Sequence, residues 1–246
     1  MRSRLVAGNW KMNGSLAANR RLLEALKAGL QAKAGVRHSV CVPYPYLAQV
    51  EAALTGTPIS WGAQNLSEHA QGAYTGEVSG AMLRDFGCYH VLVGHSERRA
   101  LYGESDKQVA AKFQAAQGAG LIPILCLGES LQERESAVTE IVVGRQLAAV
   151  LETSGVGALA NAVIAYEPVW AIGTGVTATS EQIAETHQRI KAITSKPLLY
   201  GGSVKPTNTA EILGINGVDG VLVGTASWES KSFCDMLTAS KTVAKG

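Results

Sequence analysis

The chain has 246 residues, 46% of them hydrophobic and 17% charged, with 22 Lys+Arg against 20 Asp+Glu for a net charge of +2. That composition can fill a core and excludes intrinsic disorder, while near-balanced charge, with basic residues at most in pairs such as Arg98-Arg99, argues against a nucleic-acid partner. No apolar stretch reaches the ~18 residues of a membrane helix, so no membrane partner is expected.

The predicted elements alternate along the chain. A strand over Leu5–Asn9 precedes a helix over Ser15–Lys33, where Leu16, Leu22, Leu23, Leu26 and Leu30 share a face. Strands follow at His38–Val42, Ile59–Gln64, Val91–Gly94 and Ile122–Leu127. One continuous helix is expected over Leu131–Thr153, then a strand over Val163–Tyr166 and a helix over Ser180–Ser195 carrying Ile183, Ile190 and Ile193. Strands Leu198–Tyr200 and Gly220–Val223 and a helix over Lys231–Val243 complete the pattern. Several strands, such as "VLVG" and "GVLVG", are apolar throughout, as expected of a parallel sheet buried on both faces. Strand starts lie roughly 30 residues apart, the size of a βαβ unit. About eight such units predict an α/β fold, a single-domain (β/α)8 barrel over residues 1–246. A doubly wound sheet is the alternative. It would call for a nucleotide-type glycine fingerprint after the first strand, and "VAGNWKMNG" is not one.

The first ten residues read as a strand rather than a signal peptide, which predicts a cytoplasmic protein. Cys41, Cys88, Cys126 and Cys234 are far apart, with no C-x-x-C and no zinc-ligand spacing. They are expected to be buried, reduced thiols, with no metal site.

In a barrel, the active site lies at the C-terminal ends of the strands. The polar residues at those positions are Asn9 and Lys11, Gln64 and Asn65, His95 and Glu97, Glu129, Glu167, Ser203 and Thr225. Any one of them alone would be an ordinary surface group. A cation, an imidazole and a carboxylate at the mouths of different strands converge on one cleft.

Their sequence context is specific: Ala7-Gly8-Asn9-Trp10-Lys11, Gly72-Ala73-Tyr74-Thr75-Gly76-Glu77, Gly94-His95-Ser96-Glu97-Arg98-Arg99, Tyr166-Glu167-Pro168-Val169-Trp170-Ala171-Ile172-Gly173-Thr174-Gly175, and Tyr200-Gly201-Gly202-Ser203. In this order, over essentially the whole chain, they resemble the triosephosphate isomerase family. The resemblance implies an isomerase of glycolysis and gluconeogenesis, bordering on pentose phosphate metabolism. It would interconvert dihydroxyacetone phosphate and D-glyceraldehyde 3-phosphate through an enediol(ate). Glu167 would be the base at carbon, with His95, Lys11 and Asn9 as donors to the carbonyl oxygen and Glu97 as a neighbouring carboxylate. The acid–base assignment comes from the resemblance, the family's chemistry being a standard worked example. No cofactor is needed.

The substrate would lie against Asn9, Lys11, Gly173, Ser203, Gly224 and Thr225, with its phosphate held by the loops after strands 7 and 8, Gly201-Gly202-Ser203 and Gly224-Thr225. Pro168, Val169, Trp170, Ala171, Ile172, Gly173, Thr174, Gly175 and Val176 would form a lid that excludes water. Gln64–Ser79 is long for a βα connection. The resemblance makes it the arm of a homodimer, placing Thr75 beside the partner's Asn9–Lys11 region and His95. Another phosphate-binding barrel would lack this ordered set, and a non-enzymatic relative would have lost Lys11, His95 or Glu167.

Four positions depart from the family pattern. Thr225 replaces a glycine, and a positive φ there would cost about 1–2 kcal/mol, so a negative φ is expected. Trp228 replaces an aliphatic residue, Val176 a lysine, and Ser180 a proline at a helix start. Ser180 is expected to cap that helix by accepting an N–H bond.

Overall fold

The computed structural model describes residues 4–29, 35–174 and 176–242. The predicted helix residues 30–33 and Val243, and Gly175 of the predicted lid, lie outside them. The strands are β1 (Arg4–Asn9), β2 (Val36–Val42), β3 (Ile59–Ala63), β4 (His90–Val93), β5 (Ile122–Leu127), β6 (Val163–Tyr166), β7 (Leu198–Tyr200) and β8 (Gly220–Val223). All pair in parallel in sequence order, and β8 returns to β1 at Leu5↔Gly220, so the sheet is a closed eight-stranded barrel and not an open doubly wound sheet.

Strand alternation divides the apolar residues into two cores. Leu5, Ala7, Cys41, Leu92, Ile124, Cys126, Val163, Ala165, Leu199 and Leu222 fill the barrel interior. Their neighbours, such as Val6, Val40, Val93, Leu125, Ile164 and Val221, face outward into the layer shared with the helices. Those helices are α1 (Leu16–Gly29), α2 (Leu47–Leu54), α3 (Gly80–Asp85), α4 (Ser96–Tyr102), α5 (Asp106–Gly118), α6 (Leu131–Glu135), α7 (Thr139–Ser154), α8 (Ser180–Ile193), α9 (Thr209–Gly214) and α10 (Ser230–Thr242).

Two local expectations are corrected. The continuous helix over Leu131–Thr153 is two helices, α6 and α7. Ala137 takes φ +56°, and the N–H groups of Ala137 and Val138 bond back to the carbonyls of Arg134 and Glu133, which ends α6 and turns the chain. A left-handed alanine costs about 1–2 kcal/mol, and nothing in its residue type announces it. Ser180 does not cap α8. Thr179 does, in a reciprocal capping box with Gln182, while the Ser180 hydroxyl donates to Glu211 Oε1 at 2.5 Å.

One polar pair is sunk in the barrel interior away from the strand C-termini. His90, at the start of β4, shares a 2.9 Å hydrogen bond through Nδ1 with Ser39 Oγ, and burial followed by the nearby Arg37 charge lowers its pKa to about 3.

Candidate active site

Glu167 follows the last residue of β6. Its N–H donates to Leu127 O at 2.7 Å, continuing the β5–β6 ladder by one bond. The carboxylate is 2% exposed. Oε2 accepts the Ser96 N–H at 2.8 Å. Oε1 lies 3.0 Å from His95 Nε2, off the hydrogen-bond axis, and is left buried without a hydrogen-bond partner. Gly201 makes room for this side chain, since a Cβ there would lie 3.0 Å from Glu167 Cγ.

His95 caps α4 with its ring. Nδ1 accepts the Glu97 N–H at 3.2 Å, so in the neutral ring the proton sits on Nε2, toward Glu167. That tautomer is inferred from the hydrogen-bond pattern.

Lys11 is one of two described non-glycine residues with positive φ, at +53°. Two bonds hold it there: its N–H donates to Asn9 Oδ1 at 3.0 Å, and its carbonyl accepts from Gln64 Nε2 at 3.0 Å. Its ammonium meets Glu97 Oε1 at 2.5 Å. With Oδ1 of Asn9 taken, Nδ2 is the atom left to donate.

These side chains share a cavity of about 250 Å³. Asn9, Lys11, His95, Glu167, Gly173, Ser203, Gly224 and Thr225 all line it, so it gathers every catalytic and substrate-binding candidate except Glu97. Glu97 stands behind the wall, against Lys11 and 3.7 Å from His95 Nδ1. Thr75 is exposed on the arm, outside the cavity. Thr225 opens a short 3-10 turn, Thr225–Trp228, and is absent from the described non-glycine residues with positive φ, as expected. Trp228 packs on the outer core, with its indole N–H buried without a hydrogen-bond partner.

The segment after Glu167 starts from a fixed point. Trp170 Nε1 and Tyr166 OH both donate to Glu129 Oε1 at 3.0 Å, and the Arg134 guanidinium lies 5.2 Å from the Trp170 ring. Val169–Ala171 forms a 3-10 turn, and the Ser203 hydroxyl donates to Ala171 O at 2.9 Å. The sequence pattern assigns no site role to Gln64, Ser96 and Glu129. Their strand-end positions were visible, but their partners lie far away in sequence.

Parallel barrels that gather a carboxylate, an imidazole and an amine at the C-terminal ends of their strands are enzymes, and this fold and site belong to that class. A model of the family described as triosephosphate isomerase matches residues 4–240. Triosephosphate isomerases of Thiobacillus denitrificans and Dechloromonas aromatica are 57% and 54% identical, each aligned over 98% of this chain and over 99% and 100% of the relative. A crystal structure of triosephosphate isomerase from Bartonella henselae superposes with a TM-score of 0.87 at 39% identity, covering 96% of this chain and 98% of that one. The chain belongs to the triosephosphate isomerase family.

Proposed function

We propose that Glu167 is the base with which this isomerase interconverts dihydroxyacetone phosphate and D-glyceraldehyde 3-phosphate in glycolysis. Glu167 Oε1 takes a proton from C1 of the ketose. The C–H electron pair becomes the C1–C2 double bond of an enediolate, and the C2 carbonyl oxygen takes the negative charge. Neutral His95 donates to that oxygen from Nε2, with Lys11 and Asn9 as further fixed donors. The C1 hydroxyl then loses its proton as the carboxyl returns one to C2, the oxygens exchanging theirs through His95, and the aldehyde forms.

The observation that carries this reading is the buried, unpartnered Oε1 of Glu167 on the cavity wall, 3.0 Å from an imidazole whose other nitrogen is already engaged. We assign the phosphate to Lys11, Gly173, Ser203, Gly224 and Thr225, and the lid to residues 168–176. A coupled assay of triose phosphate interconversion tests the reading. Turnover lost in Glu167→Gln supports it, and near-native turnover in that variant contradicts it.

We also propose a homodimer of single-domain protomers. The arm between β3 and α3 is closed at its base by the Ser67 N–H to Val78 O bond of 2.8 Å and stiffened by the stacked rings of His69 and Tyr74, 3.8 Å apart. It carries Thr75 outward. Met12 is 95% exposed, and Tyr74, Leu101 and Tyr102 are exposed too, large apolar groups that a second protomer would cover. A cytoplasmic location fits Cys41, Cys88 and Cys126 as buried thiols whose ionisation burial opposes. Among the described residues no helix is long and apolar enough to cross a membrane.

A further inference from the structure

Gln146 lies on α7, outside the barrel, 5% exposed. Its side-chain amide pairs with a single backbone residue. Gly128 N–H donates to Gln146 Oε1 at 2.9 Å, and Gln146 Nε2 donates to Gly128 O at 3.0 Å. Gly128 follows the last residue of β5, where the ladder stops, so Gln146 supplies the two bonds a further strand would have made.

The clamped glycine lies against the base. A Cβ on Gly128 would stand 1.8 Å from Glu167 O and 2.7 Å from its carbonyl carbon, so the two backbones are in direct contact. On one side of Gly128, Leu127 O holds the Glu167 N–H; on the other, Glu129 O accepts the Val169 N–H at 3.2 Å and the Glu129 carboxylate holds Tyr166 and Trp170. The segment 127–129 therefore carries both the base and the first residues of the lid. A second cavity of about 250 Å³ is lined by Ser96, Gly128, Gln146 and Glu167 among others, so the clamp and the base border the same open space.

We propose that Gln146 is a positioning residue for the isomerisation, fixing Glu167 and the start of the lid through the Gly128 peptide. The proposal rests on Glu167 being the base. Displacing a reacting group by about 1 Å can cost ~10²-fold in rate. Gln146→Leu removes both bonds at similar bulk and should lower kcat about tenfold or more, with KM changed less than about threefold.

Gln146→Glu is the sharper variant. A protonated carboxyl can accept the Gly128 N–H and donate to Gly128 O, whereas an ionised one sets an oxygen against the carbonyl. Burial favours the protonated form. The kcat of Gln146→Glu relative to the native chain should therefore climb toward one as pH falls from 8 to 5.5, a rise that simple loss of stability would not produce. Both variants are measured beside Glu167→Gln. If Glu167→Gln abolishes turnover while Gln146→Leu stays within twofold of the native kcat, or the Gln146→Glu ratio is flat with pH, the proposal is overturned and the base assignment stands. If Glu167→Gln turns over normally, it is the base assignment that fails. Should Gln146→Leu not fold, the pH dependence of the Gln146→Glu ratio decides.

Discussion

Two histidines five residues apart, one at each end of β4, have opposite surroundings. His90 is sunk among apolar side chains with Ser39 as its partner, and burial holds it neutral. His95 stands one residue beyond the Gly94 that follows β4, with Glu97 N–H on one nitrogen and Glu167 beside the other, on the wall of a cavity that also holds Lys11. The imidazole is the same. What differs is that one is closed off by its neighbours and the other lines an open cavity. A polar side chain of a barrel can meet a ligand only where the strands end and the loops leave room.

Several substitutions would break or sharpen this contrast. The largest effect is expected at Glu167, the proposed base. Glu167→Gln should lower kcat by more than ~10³-fold, and Glu167→Asp, which withdraws the carboxylate by about 1 Å, by ~10²-fold, read by steady-state kinetics. His95→Gln removes the donor opposite the developing charge and should cost ~10²–10³-fold in kcat, with little change in melting temperature. Lys11→Met should weaken a phosphate-bearing inhibitor as well as turnover, and the native chain's inhibitor affinity should fall with ionic strength while the variant's falls less.

The interior histidines should report through stability instead. Burial lowers His187 from 6.5 to about 4, with the Gly217 carbonyl partly offsetting it, and His90 to about 3. The native state thus binds fewer protons than the unfolded chain. Their contribution is complete above pH ~6.5 and is lost as pH falls toward these values, by about 3 kcal/mol for His187 alone. Chemical denaturation at pH 7 and pH 4 measures it, and a His187→Gln variant should lose less on acidification. The smallest effect is expected at Thr225. Its φ is not positive, so Thr225→Gly should shift the inhibition constant of a phosphate-bearing analogue by less than about tenfold, roughly 1.4 kcal/mol. Dilution below the dissociation constant of the proposed dimer should lower specific activity while far-ultraviolet circular dichroism stays native.

How much of this was legible in the sequence follows from the range of each interaction. The strands were, because burial on both faces writes continuous apolar runs; β5 to β8 fall where those runs lie. Lys11, His95 and Glu167 stand out by type and strand-end position, and the structure brings all three to one cavity. The break at Ala137 was not, since the residue taking the left-handed conformation is not a glycine. The strained Lys11 was not either, its support coming from Gln64, 53 residues away. The cap of α8 moved one residue because Thr179 and Ser180 are both good caps, and only the backbone decides between them. The clamp of Gln146 on Gly128 spans two elements and has no signature in either.

The central claim is that Glu167 carries the proton between carbons, and it is tested most directly by running the reaction in deuterium oxide. A carboxyl group that removes a carbon-bound proton and later returns one exchanges it with solvent in between. The account predicts that glyceraldehyde 3-phosphate formed from dihydroxyacetone phosphate by the native chain carries solvent deuterium at C2, and that Glu167→Gln loses this carbon exchange together with turnover. Product without deuterium at C2, or exchange at a near-native rate in Glu167→Gln, would contradict it.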